Sequence, residues 1–293
     1  MFVAPPQNPR LAIALMLTAT MFIAATTLLA KAIGTGVLGP PLHPLQISQG
    51  RFMFAFAAFA TGAAAVRLRL ERPDMRLHLG RTAFGWGGVT LMFASVAFIP
   101  LSDATAISFL NPVFAMMLAI PLLGEVVGRV RWSAAGIALL GALILLRPTP
   151  ESFQPAALLA LGAALSMGME IVFLKRLSGR EAPFQILLIN NALGFVIASM
   201  AVIPVWVMPT PLQWGALAAI GLCMGTAQVC FVNAVSRADA SFIVPFSYGT
   251  LIFASLYDWG VFGAVPDAVS VLGACIIIAG AALLAWREAR LRG

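Results

Sequence analysis

Charged side chains are scarce in this chain. Only 10% of its 293 residues are Asp, Glu, Lys or Arg, against about a quarter in an ordinary soluble domain. Long stretches carry no charge at all, which excludes a surface built to face water. Histidine and cysteine are almost as rare, with two and three residues. His43 and His78 fall in predicted loops on opposite sides and lack metal-ligand spacing, which argues against a histidine-built metal or acid–base centre. Cys223, Cys230 and Cys275 are odd in number and lie inside apolar runs, so they read as small hydrophobes rather than a disulfide or metal set. No Gly-x-x-x-x-Gly-Lys-Ser/Thr loop occurs and no soluble segment could house a nucleotide, which argues against an ATP-driven pump. Neither metal nor cofactor is expected.

What fills the chain instead is apolar. The hydrophobic set makes up 61% of it, and its mean hydropathy is +0.96. A net charge of +7 would suggest nucleic acid in a soluble protein. Here there is no aromatic-interleaved basic domain, and the placement of the charge matters more than its sum. The partner implied is a lipid bilayer, not nucleic acid.

Crossing a hydrocarbon core of about 30 Å takes roughly 20 apolar residues in a helix. Runs of that kind fall at 11–34, 45–66, 80–99, 103–123, 130–147, 155–175, 184–207, 212–235, 239–262 and 268–287. The first is too long for a signal-peptide core and is read as a retained span. Pro100 and Asp103 separate the third from the fourth, and Arg237–Asp239 the eighth from the ninth. The fold expected is all-α, integral to the membrane, with ten transmembrane helices in one domain over residues 1–293. Fifteen of the eighteen Lys and Arg residues, all but Lys31, Arg51 and Arg147, share one side if the N-terminus is cytoplasmic. The positive-inside rule then puts both termini in the cytoplasm of a multi-pass inner-membrane protein.

The two halves echo each other in order. Leu28-Leu29-Ala30-Lys31 ends span 1 as Val172-Phe173-Leu174-Lys175 ends span 6, and Pro44-Leu45-Gln46 opens span 2 as Pro183-Phe184-Gln185 opens span 7. Asp103-Ala104 matches Asp239-Ala240, and Ser133-Ala134-Ala135-Gly136 matches Ser270-Val271-Leu272-Gly273. Repeats over 11–147 and 155–287 would each hold five spans. An odd number inverts the second copy, the arrangement that suits alternating access around a midplane site.

The same residues resemble the drug/metabolite transporter superfamily, in particular its EamA-type ten-helix members. The resemblance covers essentially the whole chain. It is carried best by Ala97–Glu125, with Asn111-Pro112-Val113-Phe114 in span 4 and Leu122-Leu123-Gly124-Glu125 before a Gly-rich span 5. Within that group the chain is similar to the YddG type, which implies an exporter of amino acids, including aromatic ones. The second copy departs from the pattern, with Val261-Phe262-Gly263-Ala264 where the first has Leu-Leu-Gly-Glu, and with its proline displaced to Pro245. A family role for that Glu or Pro is therefore not carried over.

Ionisable groups inside spans cost about 2.5–3.5 kcal/mol at the helix centre, so they mark function by default. Glu170 in span 6 reads either as a partner for a substrate ammonium or a proton, or as a carboxylate reaching Lys175 or Arg176. Arg51 in span 2 reads foremost as a tie to Asp103 or Asp258, with attraction of a substrate carboxylate as the alternative. Asp258, between Tyr257 and Trp259, reads as interfacial anchoring, and Glu125 beside Arg129 as structural. Uncharged polar residues at mid-depth are Thr20, Thr90, Ser95, Asn111, Gln228, Ser247 and Tyr248, with Asn190 and Asn191 nearer the cytoplasm. Trp86 and Met92 could wall a cavity for varied side chains. The candidate substrate-binding set is Thr20, Trp86, Thr90, Met92, Ser95, Asn111, Glu170, Gln228, Ser247 and Tyr248, and Pro112 and Pro245 are candidate helix breaks or gates. The expected function is a secondary transporter, most simply an amino-acid exporter. The alternatives are a carrier of another small metabolite or drug, in either direction, or more remotely a channel or membrane enzyme. Proton coupling and oligomeric state stay open, a monomer being the simplest case.

Overall fold

The computed structural model describes residues 8–65, 67, 72–124, 128–146, 154–177, 180–235, 237 and 244–292, with side chains omitted for residues 130, 131, 145, 146, 235, 244, 245, 281 and 284–292. The helices, in order, are α1 (Pro9–Gly34), α2 (Pro44–Ala65), α3 (Met75–Ser95), α4 (Leu101–Ser108), α5 (Asn111–Leu123), α6 (Arg129–Leu146), α7 (Ala157–Leu177), α8 (Pro183–Ala201), α9 (Pro211–Val235), α10 (Gly249–Phe262) and α11 (Ala268–Arg292). Short 3-10 turns lie at Ile203–Val205 and Val244–Tyr248. Local chemistry fixes several ends. Asn8 caps α1 by accepting the Leu11 N–H, and Asp74 caps α3 by accepting that of Leu77.

The fourth span is broken where proline demands it. Pro112 lacks an N–H and its ring would clash with the carbonyl of Ser108, so the helix cannot run through. The chain tightens there: Phe109 and Leu110 donate three residues back, to Ala106 and Ile107, before α5 begins. The ninth span shows the same design, a 3-10 segment containing Pro245 leading into α10. Both broken spans end on a left-handed glycine, Gly124 at φ 68° and Gly263 at φ 66°. A side chain is strained in that conformation, which explains why glycine stays in both copies while its neighbours diverge.

By length and composition alone, five of the described helical segments are long and apolar enough to cross a membrane: Pro9–Gly34, Leu101–Leu123, Ala157–Leu177, Pro183–Ala201 and Pro211–Ala234. The remainder of the ten-span fold follows from packing. Exchanging each span with the one five places on leaves the main pairings unchanged. Thus α3 packs on α7 as α1 packs on α9, and α2 on α9 as α8 on α3. The α4–α5 span packs on α7 as α10 packs on α1, while α2–α8, α4–α10 and α6–α11 pair with their own counterparts. The fold is two inverted five-helix repeats related by that exchange.

Two boundaries differ from expectation. The third span begins at Met75 rather than 80, because its polar first turns point into protein: His78 and Arg81 are buried. The seventh stops at Ala201 rather than 207, where Pro204 enters a 3-10 turn.

The α6–α11 pair closes backbone to backbone. A Cβ on Gly141 would lie 2.7 Å from both the Gly273 carbonyl oxygen and the Ile277 nitrogen, and one on Gly280 would lie 2.6 Å from the Ala138 nitrogen. Small residues let membrane helices approach this closely. No side chain can turn aside here, so Gly141→Val is expected to cost about 1–3 kcal/mol or more, read as a lower melting midpoint of the purified protein. Gly136→Val, where the same Cβ meets nothing within 4 Å, is the control.

Candidate functional site

Between the two repeats runs a column of polar side chains from α2, α3, α7, α8 and α9. The face where α1 starts is here called the near face, and its opposite the far face. Toward the far face Thr90 donates to the Ser48 hydroxyl at 3.0 Å, joining α3 to α2. One turn further in on the same stripes lie Arg51 of α2 and Trp86 of α3, spaced i+3 and i−4 from that contact. Below them, Thr82 donates to Asn190 at 3.2 Å and Asn191 donates to Gln228 at 3.3 Å. Beside these Arg81 meets Glu170 at 3.3 Å and donates to the Ile186 carbonyl at 3.3 Å. Glycine makes room for the pair, since a Cβ on Gly85 would lie 2.9 Å from the Glu170 carboxylate.

The column is unusual in what it leaves unmade. Gln49 Oε1, Arg51 Nε and Nη1, Arg81 Nε, Trp86 Nε1 and Asn191 Oδ1 are all buried without a hydrogen-bond partner. Native proteins pair the great majority of buried polar atoms, and an unpaired one costs about 1–3 kcal/mol. These unpaired atoms lie on three facing helices, α2, α3 and α8.

The far face is closed by a second set of contacts. Asp258 near the end of α10 is buried and pairs with Lys31 at the end of α1. Its other oxygen accepts the Leu101 N–H at 2.8 Å, capping α4 with a carboxylate. The Lys31 ammonium also lies 4.4 Å from the centre of the Phe262 ring. Nearby, Ser270 at the start of α11 donates to Asp103 of α4 at 3.1 Å. The near face has a contact of its own: Arg176, near the end of α7, donates to the Leu122 carbonyl of α5.

A latch at the near face ties α3 to α8. Glu181, between α7 and α8, accepts from His78 at 2.8 Å, from Gln185 at 2.8 Å and from the Asp74 N–H at 2.9 Å. Burial opposes ionisation of this carboxyl, but the donors from His78, Asp74 and Gln185 outweigh it and hold its pKa below the ordinary value. A depressed carboxylate pKa stabilises the fold fully above the unfolded value of about 4.3, and that gain is lost as pH falls through the lower folded value. The melting midpoint of the wild type is therefore expected to drop as pH is lowered through the acid range. Glu181→Gln should lower the midpoint at neutral pH and flatten that drop. An unchanged slope would remove Glu181 from the latch.

The structure divides the candidates read from sequence. Trp86, Thr90, Glu170 and Gln228 belong to the column. Thr20, Asn111, Ser247 and Tyr248 gather instead around the broken spans. Gly249 packs on Thr20, whose hydroxyl would lie 3.2 Å from an added Cβ. Tyr248 meets Phe109 edge-on at 5.1 Å, and the Asn111 carbonyl packs against Gly168. Met92 and Ser95 are buried packing, the serine hydroxyl donating back to the Met92 carbonyl at 2.8 Å. Pro112 and Pro245 stand at the two breaks.

Four readings need correction. Glu170 reaches neither Lys175 nor Arg176 but Arg81 on another span. Arg51 ties to neither Asp103 nor Asp258, both of which are engaged elsewhere. Asp258 is a buried lock rather than an interfacial anchor. His78 is helical and wholly buried, not in a loop. Glu125, Arg147 and Asp239 lie outside the described residues. Arg81 was missed because it falls among cytoplasmic basic residues in sequence. Its signal is the stripe Arg81, Gly85, Gly88, one charge and two clearances on the face that meets α7.

Residues 10–147, and again 154–286, match the EamA-like transporter family. The chain is 29% identical over 247 residues to a riboflavin transporter of Vibrio cholerae, covering 80% of this chain and 83% of that one. It is 26% identical over 254 residues to an S-adenosylmethionine uptake transporter of Rickettsia bellii, covering 86% and 87%. It is 27% identical over 211 residues to a pseudopaline exporter of Pseudomonas aeruginosa, covering 71% and 74%. A solved crystal structure superposes with a TM-score of 0.64 at 20% identity, over 98% of this chain and 100% of that one, a likeness of fold. Two matches of one family, together spanning nearly all the residues, make this chain a member of the EamA-like transporter family.

Proposed function

We propose that this protein is a secondary carrier that moves a small polar organic metabolite across the inner membrane by alternating access, with both termini in the cytoplasm. The observation that carries this reading is the set of unpaired buried polar atoms between the two repeats. Lipid would punish such atoms, whereas a transient polar guest satisfies them. The inverted repeats supply the motion, since each half can adopt the other's conformation around a fixed site. The broken spans, with Pro112 and Pro245, are assigned to the hinges, and Thr20, Asn111, Ser247 and Tyr248 to the wall that moves with them.

The substrate is drawn more broadly than an amino acid. The relatives are named for riboflavin, S-adenosylmethionine and pseudopaline, and some names state uptake while others state export. A small metabolite with polar and apolar parts fits all of these, and direction is set by gradients rather than by the family.

Counterflow in proteoliposomes loaded with riboflavin, S-adenosylmethionine or individual amino acids tests the proposal. At least one compound is expected to exchange saturably, and silence across the whole panel would sink it. Orientation has a separate test. After replacement of the native cysteines, a cysteine at exposed position 208 should label from outside intact cells, and one at exposed position 180 should not.

A further inference from the structure

Among the described residues three Lys or Arg side chains are buried: Lys31, Arg51 and Arg81. Lys31 has Asp258, and Arg81 has Glu170 and the Ile186 carbonyl. Arg51 alone has no anion. It is 4% exposed, and its Nε and Nη1 find no acceptor. An arginine cannot shed its charge to escape this situation, so the positive charge persists wherever it is buried.

The surroundings hold the guanidinium in place without satisfying it. Its central carbon sits 4.0 Å from the centre of the Phe52 ring. That ring is itself wedged against Gly194 of α8, where an added Cβ would come within 2.2 Å of it. Stacking on an aromatic face fixes the plane of a guanidinium and leaves its edges available to accept a planar bidentate partner. Arg51 lies seven residues into α2, about 10 Å along the helix from its far end.

Charge counting narrows the guest. The column that holds Arg51 also holds the Arg81–Glu170 pair, so its described residues bring together two buried cations and one anion. One further carboxylate gives each guanidinium an anion of its own, whether the guest is an acid or a zwitterion. A dianion such as a phosphate ester would overshoot, whereas a carboxylate matches both the charge and the two-donor edge. We propose that Arg51 is the anchor for a single carboxylate group of the transported molecule, making the substrate class small organic acids and zwitterions. The proposal rests on the carrier reading above and adds to it the chemical group recognised. Pairing Arg51 with a substrate carboxylate lets the repeats pass through the occluded state without a bare charge in the membrane. The substrate is thus admitted on the group that balances the site.

The test uses the full chain in proteoliposomes at zero membrane potential and mildly acid pH, where the amine of every probe is protonated, with probes that differ in the carboxylate. L-phenylalanine is paired with L-phenylalaninamide, and L-methionine with L-methioninamide. Wild type is expected to move each acid faster than its amide by about ten-fold or more, the value of a hydrogen bond to a charged group. Arg51→Gln should erase that preference, and Arg51→Lys, which keeps the charge and loses the fork, should fall between. Without any probe present, Arg51→Gln should melt higher than wild type, because it removes an uncompensated charge. A lower midpoint, including failure to fold, would show Arg51 to be a structural tie and overturn the proposal. A preference for acids that survives in Arg51→Gln overturns it as well. Movement of neutral riboflavin without movement of either acid defeats the carboxylate anchor and leaves the carrier reading standing, whereas no movement of any compound defeats both.

Discussion

Asp258→Asn is expected to destabilise the protein by about 3–5 kcal/mol, the cost of leaving one member of a buried ion pair without the other. The substitution is chosen because asparagine can still accept the Leu101 N–H, so α4 keeps its cap. What is lost is the charge opposite Lys31, whose side chain is 10% exposed and whose other neighbour is the Phe262 ring. Adding Lys31→Met should then restore most of the loss, since a neutral pair in the same space carries no unpaid desolvation. A melting comparison of the wild type, both single variants and the double completes the cycle. If the double variant is no more stable than Asp258→Asn, the two residues are not coupled and the far-face lock does not exist. A lock of this kind bears on transport as well as folding. It joins α1, α4 and α10, drawn from both repeats. Asp258→Asn is accordingly also expected to raise labelling of far-face cysteines.

Much of this architecture was legible in the residues because lipid imposes few rules and imposes them strictly. Ten passes, the inverted halves and the break at Pro112 each follow from backbone groups that must be paired inside the segment. The site was less legible. Thr90, Glu170 and Gln228 stand out as polar residues in apolar runs, and Trp86 and Met92 as a possible cavity wall. Met92 and Ser95 are buried packing, and the serine bonds to its own helix and needs no guest. Partners across spans could not be read at all. Arg81 looked like one more cytoplasmic charge, and only the placement of α3 against α7 brings it to Glu170. Asp258 looked interfacial because Tyr257 and Trp259 flank it, but on a helix adjacent residues face different directions. Its own direction is inward, toward Lys31, more than two hundred positions away in sequence.

Glu170→Gln and Arg81→Gln, though they remove the two ends of one ion pair, are expected to behave very differently. Glu170→Gln leaves both buried arginines, Arg51 and Arg81, without a carboxylate in the column. The loss should reach about 3–5 kcal/mol, seen as a large fall in melting midpoint, and transport should fall with it. Arg81→Gln leaves one cation and one anion, and the stranded Glu170 carboxylate lies within the field of Arg51. The cluster then has one anion for its one remaining cation, so the stability loss should be the smaller of the two. The penalty shifts to binding: Glu170 now competes with the substrate carboxylate for Arg51, and KM for acids should rise by about ten-fold or more with kcat little altered. Flux of each variant with and without a pH gradient adds a last discrimination. If Glu170 carries a proton during transport, Glu170→Gln loses its response to the gradient while Arg81→Gln retains it. Flux by Glu170→Gln that matches wild type under both conditions would take Glu170 out of the mechanism and leave Arg51 as the only charge in the column with a task beyond holding the fold.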